Sequence, residues 1–132
     1  MNKLFLIFFS LFLIGCAVTT KPSLRPLTDV SDVMLGASKQ AVKSVMGGEV
    51  VVGYEKSDNA SGTFVPLTLK NPVRVEYMES AGKKYEVEYY FTQVKQADGN
   101  ITDDELTPLV FDNGTLAGKD WAFLNNLKKL SR

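Results

Sequence analysis

The chain has 132 residues, with 15 Lys and Arg side chains against 15 Asp and Glu, so its formal net charge is zero. A chain without a charge excess has no long-range field that would steer it to nucleic acid or to a strongly anionic partner. It holds one cysteine and no histidine, which excludes an internal disulfide, the usual zinc sites and catalysis by imidazole. We therefore predict no catalytic residue, no metal and no cofactor.

The N-terminus has a short positively charged start and then an apolar run at residues 4–14. This run of 11 residues is too short to span a membrane as a helix, which takes roughly 20 apolar residues. It fits the apolar region of a secretory signal. The only cysteine follows directly, in the sequence Leu13-Ile14-Gly15-Cys16.

This tetrapeptide resembles the lipobox of bacterial lipoproteins. The resemblance implies that Cys16 receives a diacylglycerol, that residues 1–15 are removed as a signal peptide, and that the new N-terminus is acylated, for example with palmitate. Several acyl chains anchor a protein far more firmly than one. Ala17, where inner-membrane lipoproteins carry aspartate, implies the periplasmic face of the outer membrane. Two other interpretations remain open: ordinary signal cleavage after Ala17, which leaves Cys16 without a role, and an uncleaved anchor.

Residues 17–28 hold two prolines and several hydroxyl side chains, without helical or strand periodicity. This composition is typical of a tether, and these twelve residues have a root-mean-square reach of about 20 Å. We therefore predict a lipidated cysteine and flexible tether at residues 16–28. A single domain is expected at residues 29–132, because the remaining length suffices for one modest core.

The domain is predicted to begin with two helices. A short helical turn fits residues 29–35 and ends at Gly36. A second helix fits residues 38–46, where Ser38 is a suitable N-cap and the apolar residues recur on one face. A glycine pair follows and favours the end of this helix.

After residue 48 the apolar period changes to two, which predicts strands. Pro66 favours an edge or a bulge for its strand, and Pro108 favours an edge position, since proline cannot donate to a ladder. Asp120 is a suitable cap for a last helix at residues 121–130. The order predicts an α+β fold, with an N-terminal helical pair packed on an antiparallel meander sheet that has one polar face, and a short C-terminal helix. The strands are expected at residues 49–55, 64–70, 72–79, 84–92, 106–112 and 115–117.

Two parts of the domain resemble the small outer-membrane lipoprotein domain called SmpA/OmlA, or BamE-like. Residues 36–47 match its pattern G-x-[ST]-x-x-x-V-x-x-x-x-G. Residues 85–91 and 110–114 resemble its strand pair, which ends in an F-x-[DN]-G hairpin. The resemblance implies a pair of helices on a curved sheet. It also implies an accessory role in the assembly of β-barrels in the outer membrane.

The acidic segment at residues 98–105 imitates the second half of a calcium-binding EF-hand loop, with Asp98 and Glu105 at ligand positions. The first loop position would be Val94, which has no side-chain oxygen, so a solvated acidic loop is the other interpretation. The adjacent carboxylates of residues 103–105 also suggest glycosidase-type chemistry, but hydrated loop acids explain them as well. The sequence is compatible with a cation-binding loop and with a solvated acidic loop.

Most aromatic residues of the strand at residues 84–92 share one face and are expected in the core. Tyr90 lies on the opposite face, and together with Arg74 and Met78 it is a candidate contact for a protein partner. We predict a non-enzymatic outer-membrane lipoprotein that binds an envelope protein through its sheet face or edge, in envelope or outer-membrane assembly. The alternative is an inhibitor-like or small-ligand-binding lipoprotein whose aromatic sheet face receives the ligand.

Overall fold

The structure is a computed structural model that describes residues 27–58 and 62–131. Six strands and two α-helices follow one another in this part of the chain, with two short 3-10 turns at Val30–Asp32 and Asp103–Glu105. The elements are α1 (Lys39–Met46), β1 (Gly48–Lys56), β2 (Phe64–Asn71), β3 (Arg74–Ser80), β4 (Lys83–Phe91), β5 (Leu106–Asp112), β6 (Thr115–Lys119) and α2 (Asp120–Leu130).

The predicted α+β fold with an N-terminal helical pair is wrong. The described chain is mostly β, and the first of the two predicted helices is a single 3-10 turn at Val30–Asp32. The residues after this turn bond to β6 instead of winding further: Gly36 donates to the carbonyl of Leu116 at 2.8 Å, and Leu116 donates to Ala37 at 2.9 Å. The segment therefore covers the edge of β6, and its backbone groups are paired with a strand and not within a helix.

The helix α1 confirms the second predicted helix. The hydroxyl of Ser38 accepts a hydrogen bond from the N–H of Ala41 at 3.2 Å, which satisfies one donor of the first turn. Val42 and Met46 are buried, one turn apart, while Val45 is exposed. The apolar stripe is thus narrower than the sequence predicts, and it holds α1 against the sheet through two side chains.

The strands form two sheets and not one meander. β1 and β2 pair as a separate antiparallel hairpin, while β3, β4, β5 and β6 form a four-stranded antiparallel sheet in chain order. The ladder between β1 and β2 shifts between Val51 and Gly53, so Val52 is an extra residue. Such a bulge bends the strand and turns the side chains that follow to the other face.

The two strand prolines have different outcomes. Pro66 lies in β2, which among the described strands pairs with β1 alone, so its predicted edge position is confirmed. The predicted edge position of Pro108 is wrong, because β5 lies between β4 and β6. The ladder to β6 starts at Leu109, opposite Lys119, so residue 108 has a paired strand on one side only. A missing N–H is tolerated there.

Both faces of the four-stranded sheet are covered at β4 and β5, while residues 73–77 at the β3 edge are exposed. One face packs on the β1–β2 hairpin and on α2, with Val50, Val52, Tyr89, Val110 and Leu124 among its buried residues. The predicted polar face is the other one, and it lies under α1 in a second cluster. The members of this second cluster are Val33, Val42, Met46, Tyr90, Leu109, Phe111 and Leu116.

Helix α2 begins as predicted. The carboxylate of Asp120 accepts from the N–H of Phe123 at 2.8 Å, and Leu124 is buried. The indole N–H of Trp121 donates to the carbonyl of Leu106 at 2.8 Å, and its ring lies 5.6 Å from that of Tyr89. Trp121 therefore packs the helix on the sheet and fixes its position along β5.

Candidate functional site

The three predicted partner contacts do not form one surface. Arg74 lies on β3 with its guanidinium 4.0 Å from the centre of the Tyr89 ring, and half-buried Met78 packs on the same face against the core. Because Arg74 pairs with Tyr89 in register, Tyr90 points to the opposite face. Tyr90 is fully buried there. The sheet face that would have exposed it is covered by α1, so Tyr90 is not available to a partner in this structure.

Tyr90 belongs to a charged cluster under α1. Its hydroxyl donates to Glu88 at 2.7 Å, and the other carboxylate oxygen of Glu88 lies 3.4 Å from Lys39 Nζ and 3.6 Å from Lys43 Nζ. Lys39 also forms an ion pair with Glu86. Burial and the hydrogen bond to Glu88 raise the pKa of Tyr90, so the hydroxyl stays protonated and acts as a donor. The cluster fastens α1 to the sheet through polar contacts.

The second tyrosine of this strand is also held as a donor. Its hydroxyl bonds to Glu76 Oε2 at 2.8 Å, and burial together with this bond raises the pKa of Tyr89 to about 12. A tyrosine in this state is a poor general base at neutral pH. Its contacts to Arg74 and Trp121 are packing contacts on the core side of β4.

The acidic loop is built around Glu105, which is buried. One of its oxygens accepts the N–H groups of Lys95 (2.8 Å) and Gln96 (3.3 Å), and the other accepts the N–H (3.1 Å) and hydroxyl (3.2 Å) of Thr102. Burial alone would raise the pKa of Glu105, but these donors outweigh it and lower the pKa. Four donors fill the acceptor positions of a carboxylate, so the oxygens of Glu105 have no room for a cation.

The other loop acids are exposed, and Asp98 accepts from the N–H of Asn100 at 2.9 Å in a local turn. Among the residues that the structure describes, no three Asp, Glu or Cys side chains come together as a possible metal site. The loop thus has a structural role in this geometry, as a platform stabilised by the Glu105 carboxylate.

This platform supports the β1–β2 hairpin. Gly53 forms a β-bridge with Asp98, and a Cβ at Gly53 would lie 2.8 Å from the carbonyl oxygen of Ala97. Gly99 approaches Leu67 of β2 as closely, since a Cβ there would lie 2.7 Å from Leu67 Cδ1. At Gly53 the contact is with backbone, so only glycine permits the approach, while at Gly99 the φ of 76° favours glycine. The loop therefore holds the hairpin at the bulge.

Beyond the bulge, the outer face of the hairpin carries exposed aromatic side chains. Tyr54 pairs with Pro66 and Lys56 pairs with Phe64, so these four residues share one face, which we call the hairpin surface. Tyr54 is 58% exposed and Phe64 is 69% exposed. They are diagonal neighbours, at a spacing of about 7–8 Å. Aromatic residues that a rigid support holds in solvent are typical of protein-binding surfaces.

Neither Tyr54 nor Phe64 is among the contact residues predicted from the sequence. Strict alternation from residue 49 onward would place Tyr54 on the same face as the buried Val50 and Val52. The bulge at Val52 moves Tyr54 to the opposite, polar face. Gly53 could have indicated this bulge, because an isolated glycine inside a strand pattern suggests a bulge or a close backbone approach.

The predicted lipidation residue Cys16, with Leu13, Ile14 and Gly15, lies outside the described residues. Of the predicted tether, the structure describes only the last two residues. Leu27 packs against the core, and the hydroxyl of Thr28 donates to the carbonyl of Val45 at 3.4 Å. Neither described helix has the length and apolar character that crossing a bilayer requires.

No curated protein and no solved structure matches the chain. A family described as "Protein of unknown function (DUF3192)" matches residues 24–123. This range includes all six strands and α1, and it ends within α2. Because the match covers well over half of the sequence, the chain belongs to the DUF3192 family.

Proposed function

We propose that this protein is a lipid-anchored, non-enzymatic binding module on the periplasmic face of the outer membrane. The motif Leu13-Ile14-Gly15-Cys16 after a short apolar run supports the anchor, and Ala17 supports the outer membrane. The partner is an envelope protein, in keeping with the assembly role that the SmpA/OmlA-like resemblance implies.

The hairpin surface carries the binding part of this proposal. Tyr54 and Phe64 are more than half exposed, although aromatic side chains gain most from burial. They lie on the two strands of a hairpin that a loop holds at Gly53, and the buried carboxylate of Glu105 stabilises this loop. A rigid support of this kind lowers the entropy cost of binding, because the contact residues are already in place.

The alternative of a small-ligand or inhibitor-like site has less support. It relies on an open aromatic sheet face, which would be made of Tyr85, Tyr89 and Phe91. Tyr89 and Phe91 are buried in the core against α2 and the hairpin, and Tyr85 packs against them. Among the described residues, the exposed aromatic side chains are Tyr54 and Phe64 on the hairpin surface and Tyr77 on β3.

Replacing Cys16 by alanine is expected to release the protein from the outer-membrane fraction, because the acyl chains have no other attachment point. Mass spectrometry of the native N-terminus should show an acylated Cys16, and fractionation should follow the variant. Ala17→Asp serves as the matched control: it keeps the lipid, and the sorting rule moves it to the inner membrane. An unacylated native N-terminus that starts after Ala17 would contradict the anchor.

A photo-reactive amino acid at residue 64, in full-length protein in intact cells, is expected to crosslink to one envelope protein. The matched control is the same amino acid at Leu130 of α2, which is also 69% exposed but lies outside the hairpin surface. A specific product at Phe64 and not at Leu130 supports the proposal. Equal products at both positions, or adducts to lipid alone at Phe64, would contradict it.

A further inference from the structure

The outer edge of β3 is open. Among the described strands β3 pairs only with β4, whereas the edge of β6 is covered by the segment at residues 36–39. Every residue from 73 to 77 is exposed. An uncovered edge presents unpaired N–H and C=O groups that can pair with another strand, and natural proteins usually protect such edges.

The side chains along this edge are sorted by face. Val75 and Tyr77 are 43% and 77% exposed, and they pair with Glu88 and Glu86, so they project on the α1 side of the sheet. Val73, two residues before Val75, continues this apolar row. Arg74 and Glu76 project on the other side, where Arg74 Nε lies 3.0 Å from Glu76 Oε1. The edge therefore has an apolar row on one face and two opposite charges on the other.

We propose that β3 pairs antiparallel with β3 of a second copy of this chain, about a two-fold axis that passes through Val75. In this register Arg74 of each copy lies opposite Glu76 of the other, and Val73 lies opposite Tyr77. The two Val75 side chains face each other on the axis. Directly opposed residues of antiparallel strands share a face and interact, so the pairing matches charge with charge and apolar with apolar. It is an isologous contact, which closes as a dimer.

Other two-fold axes near Val75 also keep the α1 sides of the two sheets on the same face, but they pair less complementary residues. An axis at Arg74 opposes two arginines, and an axis at Glu76 opposes two glutamates; like charges directly opposed are destabilising. An axis at Tyr77 places Val75 opposite Glu79 and Glu76 opposite Met78. Of these registers, only the one with its axis at Val75 places opposite charges opposite each other. This complementarity favours a second copy as the occupant of the edge and defines its alignment.

The dimer joins the two four-stranded sheets into one continuous sheet. It does not depend on the lipid anchor or on the proposed envelope partner. The ion pairs at the contact stay near solvent, where each contributes little, so they fix the register more than they drive association. The apolar row and the backbone pairing are the main source of affinity.

Cysteine crosslinking of full-length chains in intact cells tests the register. Val75→Cys is expected to form a covalent dimer with a short thiol-specific crosslinker, because residue 75 lies next to its own copy on the axis. Val73→Cys and Tyr77→Cys should each give little dimer alone but a heterodimer when they are expressed together. The unsubstituted chain, which keeps Cys16, gives the background, and Leu130→Cys reports random collision. Equal crosslinking at residue 130, or none at residue 75, would overturn the proposal.

Charge reversal gives an independent test with two differently tagged copies of the full chain. Arg74→Glu and Glu76→Arg should each reduce recovery of the second tag by roughly tenfold, since each places like charges opposite one another twice. An Arg74→Glu copy and a Glu76→Arg copy should recover each other as well as two native chains do. In this mixed dimer each residue 74 again lies opposite a residue 76 of the opposite charge. As a control, the thermal unfolding of each variant is compared with that of the native protein to verify that the variant folds. Failure of the mixed pair to recover, with both variants folded, would contradict the register.

Discussion

Replacing Glu88 by alanine is expected to lower the free energy of unfolding by about 3 kcal/mol, at the lower end of the cost of removing one partner from a buried ion pair. The change leaves the buried hydroxyl of Tyr90 without its acceptor and removes the carboxylate that faces Lys39 and Lys43. The two lysine side chains are 31% and 48% exposed, so their ammonium groups can turn to water. Urea unfolding, followed by the fluorescence of the single tryptophan Trp121, measures the effect.

The control for this prediction removes both buried polar groups together. Glu88→Met with Tyr90→Phe keeps the volume of the cluster nearly constant and leaves no orphaned donor or acceptor. Its stability should lie within about 1 kcal/mol of the native value, whereas Tyr90→Phe alone should cost about 1–2 kcal/mol. If the double variant is as unstable as Glu88→Ala, the cost comes from packing, and the polar contacts do not account for it.

The glutamates of β4 illustrate which structural features the sequence predicts, namely the face of the sheet on which a residue lies but not its burial. Alternation along residues 84–92 assigned Glu86, Glu88 and Tyr90 to one face and the core aromatics to the other, and the structure confirms that division. Alternation cannot say what covers a polar face. Glu88 is fully buried although it lies on the polar face, and its contacts to Lys39 and Lys43 of α1 depend on the tertiary arrangement.

The bounds of most elements were predictable because they depend on local chemistry. Ser38 caps α1 and Asp120 caps α2 through bonds to residues three positions away. The Asn113-Gly114 turn joins β5 and β6, where both residues have a positive φ, as a tight hairpin requires.

The fold class was not predictable in the same way, since it depends on pairing between distant residues. The segment at residues 29–37 has enough apolar character for a helical turn, but its backbone bonds to β6 decide otherwise. Where the β1–β2 hairpin leads into the main sheet, the side chain of buried Asn71 bonds to both backbone groups of Phe91, at 3.2 and 2.8 Å. A single sequence does not reveal either contact.

Replacing Glu105 by glutamine is expected to lower the free energy of unfolding by about 2–3 kcal/mol at pH 7, comparable to the loss of hydrogen bonds to a charged group. Glutamine keeps the shape but places an amide N–H₂ against backbone N–H donors that now bond to a carboxylate oxygen. Asp104→Asn is the matched control in the same loop. Asp104 is exposed and its replacement keeps an acceptor for Thr102, so its effect should stay within about 0.5 kcal/mol.

The pH dependence of this difference separates the carboxylate charge from packing. The pKa of Glu105 is lowered in the folded protein from its ordinary value of 4.5, because four donors favour the ionised form. The contribution of the Glu105 charge to the free energy of unfolding is therefore complete above pH 4.5. It is lost as the pH falls through the pKa of Glu105 in the folded protein. Urea unfolding at a series of pH values from 7 down to 3 should show the native protein approaching Glu105→Gln in stability. A difference that stays constant over this range would mean that shape, and not charge, holds the loop under the hairpin surface.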